Sequence, residues 1–149
     1  MMKRIASGMV VLVLLGAAAG CSTLNRQPQL CDPTILPAEF KPGDGGVISV
    51  KVVDRHRIIA RVLGVVKEDP RMSFKLHDDG ETPDEKAGDG IWTLQVDVPF
   101  MAPPGDFTLE LTAYRSNGEA VKVRTKDGEI VPLQTTCAFA IAYPDQPQQ

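Results

Sequence analysis

The sequence predicts an all-β protein: a single sandwich of about seven antiparallel strands, set behind an export signal and a tether. Two observations carry this. Apolar and polar residues alternate with period two through several separate runs, and Gly, Asn, Asp or Pro punctuates the gaps between them. The third observation is negative. No window keeps a helical apolar stripe, because prolines or glycines interrupt most candidates.

The first element is a targeting segment. "MMKR" supplies a positive start, "IASGMVVLVLLG" a short apolar stretch, and "AAAGC" a run of small residues. An apolar run this short, followed by small residues, reads as a secretory signal over residues 1–20 and not as a spanning helix. Ala17 and Ala19 would suit an ordinary signal peptidase. Ala18-Ala19-Gly20-Cys21 instead resembles a bacterial lipobox, with alanine where leucine is usual, and marks Cys21 for lipidation.

Cysteine parity favours the lipobox. Removing Cys21 from the three cysteines leaves Cys31 and Cys137, an even pair in an oxidising compartment, and so an expected disulfide. Closing so long a loop stabilises by about 4–5 kcal/mol on chain-entropy grounds. Acyl chains on Cys21 would hold the domain at a bilayer, each buried methylene contributing about 0.8 kcal/mol. Ser22 follows the cysteine, where the enterobacterial signal for inner-membrane retention is Asp. That resemblance implies the periplasmic face of the outer membrane.

Residues 21–46 read as a tether with four prolines and no period. Residues 47–143 hold the domain, and residues 144–149 ("PDQPQQ" from Pro144) read as a disordered tail. Loss of residues 1–20 removes Lys3, Arg4 and no acid, taking the formal charge from −3 to −5. An acidic mature chain argues against nucleic acid as partner, since that needs a basic surface.

Within the domain, strands are expected at residues 47–53 and 57–65. Met72, Phe74 and Leu76 then alternate with polar residues, as do Trp92, Leu94, Val96 and Val98, and then Phe107, Leu109, Leu111 and Ala113. Residues 121–125 and 134–143 follow, the last with Cys137, Phe139, Ile141 and Tyr143 on one side. "RSNGEA" and "TKDGEI" supply Asn-Gly and Asp-Gly turns, in which both central residues can take positive φ. About seven short strands with such turns imply an immunoglobulin-like sandwich.

The stretch "HDDGETPDEKAGDGIWT" gathers Asp78, Asp79, Glu81, Asp84, Glu85 and Asp89 around three glycines. Its first reading is structural, because Asp accepts backbone N–H bonds and Gly takes positive φ in long connections. The second is calcium, held by Asp78, Asp79, Asp84 and Asp89, since calcium takes six to eight oxygens. The spacing is not that of an EF-hand. A catalytic carboxylate pair ranks last, because it needs a cleft and a raised pKa.

Other chemistry is weaker still. The basic turn "DRHR" with Arg61 could meet an anion, although solvated turn charges are commoner. His56, His77 and Cys137 lack blue-copper spacing. There is no G-x-S-x-G, phosphate loop or zinc spacing, so no catalytic residue is assigned.

The acidic stretch, with "PPGDFTLELTAYRSNGEAV" after it, resembles the immunoglobulin-like domains called choice-of-anchor X. The matching residues are Asp78, Asp79, Gly80, Asp84, Ala87, Gly88, Asp89, Gly90, Ile91 and Trp92, then Pro104, Gly105 and Phe107. Trp92 stands where Tyr or Phe is usual. The resemblance implies a non-enzymatic domain with no defined ligand or cofactor. The expectation is therefore a lipid-anchored cell-envelope protein, a non-catalytic binding or assembly module with an envelope protein or glycan as partner. A calcium-dependent adhesion or glycan-binding module is the first alternative, and an enzyme with an unrecognised site the second.

Overall fold

The computed structural model describes residues 27–144. The expected signal peptide, Cys21, the start of the expected tether and residues 145–149 lie outside the described residues. Ten strands are described: β1 (Gln29–Leu36), β2 (Glu39–Phe40), β3 (Gly45–Val53), β4 (Arg61–Val66), β5 (Asp69–Leu76), β6 (Ile91–Asp97), β7 (Gly105–Tyr114), β8 (Lys122–Arg124), β9 (Ile130–Pro132) and β10 (Gln134–Ile141). They form a three-stranded sheet in the order β1-β3-β6, a five-stranded sheet in the order β2-β10-β7-β4-β5, and the hairpin β8-β9.

This overturns the expected immunoglobulin-like sandwich of about seven antiparallel strands. The described residues hold three sheets, and β2 runs parallel to β10, with Glu39 opposite Ala140 and Phe40 opposite Ile141. Part of the extra structure arises from the expected tether, which is also corrected: from Gln29 onward it is strand. Its prolines concealed this. Pro28 precedes β1, Pro37 follows it, and Pro33 lies where the β1–β3 register shifts between Cys31 and Thr34. An edge strand tolerates proline at such an irregularity, where no ladder N–H is needed. Asp32 takes a φ of 49° at the same place. The shift also breaks the alternation: Leu30 and Ile35, at odd spacing, both pack on the core.

One core joins the two larger sheets. Phe40, Ile48, Val50, Val62, Leu76, Leu109 and Leu111 are almost wholly buried. The chain passes from one sheet to the other between β1 and β2, and Phe40 lands edge-on against Phe139, ring centroids 6.1 Å apart. A Cβ on Gly46 would collide with the Phe40 ring, so that approach requires glycine. The backbone seals the junction: Ala140 N donates to Ala38 O at 2.9 Å and Ala142 N to Phe40 O at 2.8 Å.

The alternating runs lie where the period places them, with Phe107, Leu109, Leu111 and Ala113 of β7 and Cys137, Phe139 and Ile141 of β10 turned to the core. In the Asn-Gly and Asp-Gly turns, Gly118 and Gly128 take positive φ and Asn117 and Asp127 do not. Near the start of the described chain, the Gln27 side chain pairs with β8 as a strand would. Its Oε1 accepts from Arg124 N at 2.6 Å and its Nε2 donates to Arg124 O at 3.1 Å.

The expected Cys31–Cys137 disulfide is also corrected: both are free thiols. Register explains it. Cys31 pairs with exposed Lys51 while its neighbour Leu30 faces inward, so the Cys31 thiol points out of its sheet, 3.8 Å from Gln29 Oε1. Cys137 is opposite buried Leu109 and packs on the core. Burial pushes its thiol pKa up. The two sulfurs therefore lie on opposite faces of their sheets, and a disulfide needs Cβ atoms about 4 Å apart and suitably aimed.

Candidate functional site

The acidic connection runs from Asp78 to Gly90, between β5 and β6. Its ends are clamped where His77 and Thr93 face each other, His77 N donating to Thr93 O at 2.9 Å and Thr93 N to His77 O at 2.7 Å. The loop is thus a closed excursion, and the Asp side chains fill it from inside.

Asp78 stitches the start to the finish. Its Oδ1 accepts from Gly88 N at 2.7 Å and its Oδ2 from Gly90 N at 3.1 Å. Asp84, only 5% exposed, closes the first half, accepting from Gly80 N at 2.6 Å and Lys86 N at 3.3 Å. Asp79 accepts from Glu81 N at 3.0 Å and Asp89 from Ile91 N at 2.8 Å, each two residues on. Gly80 has a φ of 75°, and a Cβ there would approach Ala87 N to 2.9 Å. The chain turns here only because that side chain is missing.

The four calcium candidates do not converge as a set. Oxygens of Asp78, Asp84 and Asp89 lie within 4.8 Å of one another. Asp79 stands outside that group, with its Oδ2 3.8 Å from His77 Nδ1. Glu81 is exposed and donates its backbone N–H to Asp79. Each Asp of the triad already takes at least one backbone N–H. The first work of these carboxylates is to fold the loop.

Elsewhere, the basic turn is held by its own acid: Asp54 Oδ2 accepts from Ile59 N at 2.6 Å, and Arg57 has a φ of 51°. At the turn between β4 and β5, Thr108 N donates to Glu68 at 2.8 Å and holds its carboxyl below the usual range. Arg71 does the same for Asp69 through two bonds of 2.9 and 3.0 Å. A carboxylate held ionised in this way is a poor proton donor at neutral pH.

Sequence patterning did not point to an apolar cavity of about 280 Å³ between the two larger sheets. Phe40, Phe74, Phe107 and Phe139 line it, and Phe107 stacks on Phe139 with centroids 5.4 Å apart. Among the described residues, Asp69 and Asp97 are its only charged lining residues. Alternation shows which residues face inward, but not whether they meet. That is why the cavity could not be foreseen.

No protein-family model matches the chain. No curated protein sequence matches it either. Among solved structures it is similar to Pseudomonas fluorescens alkylpurine DNA glycosylase AlkC bound to DNA containing an abasic site analog, with a TM-score of 0.46 and 14% identity. The likeness covers 77% of this chain and 30% of that one, so the chain spans less than a third of the enzyme's length.

Asp84 and Asp79 separate scaffold from surface. Asp84→Ala leaves the Gly80 and Lys86 amides without their acceptor and is expected to cost about 1–3 kcal/mol in urea unfolding. Asp79→Ala is expected to stay within about 0.5 kcal/mol. Equal losses would contradict the assignment.

Proposed function

We propose that the protein is a non-catalytic binding or assembly module of the bacterial cell envelope, held at a membrane by acyl chains on Cys21. The observation that carries the binding reading is the character of the cavity between the two larger sheets. Among the described residues, all but two of its lining are apolar, and the lining includes no His, Cys, Ser, Thr or Lys. Such a surface holds a ligand by burial, and its two carboxylates, Asp69 and Asp97, have no His, Ser, Thr, Cys or Lys beside them in the described lining with which to form a catalytic pair. The anchor rests on the lipobox-like Ala18-Ala19-Gly20-Cys21 behind a short apolar segment. The outer membrane's periplasmic face follows from Ser22, and an envelope protein or glycan is the expected partner class. The acidity of the mature chain supports a partner other than nucleic acid.

Mass spectrometry of the protein extracted from membranes tests the anchor. An acylated Cys21 at the amino terminus is expected, and Cys21→Ser should release the chain from the membrane fraction. An unmodified Cys21 on a membrane-free chain would contradict it.

A second reading, calcium-dependent adhesion, is favoured by the approach of Asp78, Asp84 and Asp89 to within 4.8 Å. Three carboxylates so close repel one another, and a divalent cation would relieve this. On this reading calcium raises the unfolding temperature by several degrees over chelator, because a ligand bound only to the folded state stabilises it. Asp89→Ala should abolish the rise. Superimposable unfolding curves would leave the acids as loop scaffold alone.

A further inference from the structure

The cavity between the sheets is too large to be ordinary packing. Native interiors contain few voids larger than one water, whose share of liquid volume is about 30 Å³. This one measures about 280 Å³, close to the ~300 Å³ at which small-molecule sites begin. Both sheets contribute to its walls: Ile48 and Val96 from one, Leu109 and Phe139 from the other.

Its mouth is identifiable, because several residues both line the cavity and reach solvent: Asp97, Pro99 and Pro103 are exposed there, and so are two methionines. Met72 is 40% exposed and Met101 is 91% exposed. Methionine is unbranched and polarisable, and it adapts to irregular apolar ligands. Beside Met101, Phe100 is 81% exposed. The sequence holds five phenylalanines. Four line the cavity, and the fifth sits between Pro99 and Met101, which also line it. The Phe100 ring lies over Gly43, where a Cβ would collide with it, while Met101 stays in water beside the mouth.

Charge at the cavity is one-signed. Asp69 is matched by Arg71 at 2.9 Å, whereas Asp97 is exposed and makes no ion pair among the described residues. Among the described residues, no Lys, Arg or His lines the space. An anionic head group would therefore be repelled at the mouth and a cationic or neutral one accepted.

We propose that this cavity holds one unbranched aliphatic chain of roughly nine methylenes, judged at about a water's volume each, beneath a neutral or cationic head. This deepens the binding-module reading and rests on it, since a membrane-held domain is surrounded by acyl chains. The chain comes either from a bilayer lipid or from the acylated Cys21 of the protein itself.

The test titrates the full processed protein, and separately its Cys21→Ser form, with decylamine, 1-decanol and decanoate below their micellar concentrations. Calorimetry is expected to show one decylamine and one decanol site in Cys21→Ser, with decanoate at least ten-fold weaker. Binding in both forms assigns a bilayer lipid, whereas binding only in Cys21→Ser assigns the protein's own acyl chain. Val96→Phe, which fills the cavity, should abolish binding. Met101→Lys should weaken decylamine at the mouth without disturbing the fold. No decylamine or decanol site in Cys21→Ser, or affinities unchanged in both variants, would overturn the proposal. Equal decanoate affinity would overturn the assignment of the head group. An unmodified Cys21 alongside decylamine binding would remove the anchor and leave the cavity assignment standing.

Discussion

Phe40 stands where the chain leaves one sheet and joins the other, and the rest of the structure depends on that crossing. Its ring is 1% exposed, presses on the bare backbone of Gly46 and meets the edge of Phe139. The two-residue strand that carries it is too short to be stable alone, and its pairing to β10 is a consequence of where the ring must go. With Phe40 fixed, β1 is drawn onto β3 and β2 onto β10, so the segment straps the two sheets together. The strap also helps define the cavity, since Ile35, Phe40 and Ile48 form part of its wall.

A different constraint governs the opposite chemistry. The long acidic connection has no apolar core of its own, so its backbone amides need acceptors from within the loop. Aspartate meets that need with one short side chain carrying two oxygens, and six backbone N–H groups are taken up by four Asp residues. The consequence is a crowd of like charges at Asp78, Asp84 and Asp89, close enough to attract a cation. Loop folding and cation affinity are thus two outcomes of one arrangement.

Sequence reasoning reached the strands in which apolar and polar residues alternate without a break. Phe107, Leu109 and Leu111 announce β7, and Trp92, Leu94 and Val96 announce β6 by period two, although Thr93 and Thr112 on the other faces are buried as well. It failed at β1, where Pro33 and the shift after Cys31 put two inward residues at odd spacing. It failed on the disulfide for a related reason. Parity of cysteines carries no information about faces, and one thiol points outward while the other points in. The acidic loop was legible as turn chemistry, because Asp and Gly have little else to do in such a run. Asp79's exclusion from the triad was not, since sequence neighbours on a turning backbone point different ways.

The strapped sheets leave an open apolar space bounded by four phenylalanines. A crystal structure of the domain under xenon pressure tests this most directly, because xenon settles in dry apolar cavities. A xenon peak is expected among Phe40, Phe74, Phe107 and Phe139, with Phe100 and Met101 still turned to solvent. A filled core with Met72 and Met101 folded inward, and no xenon, would contradict it.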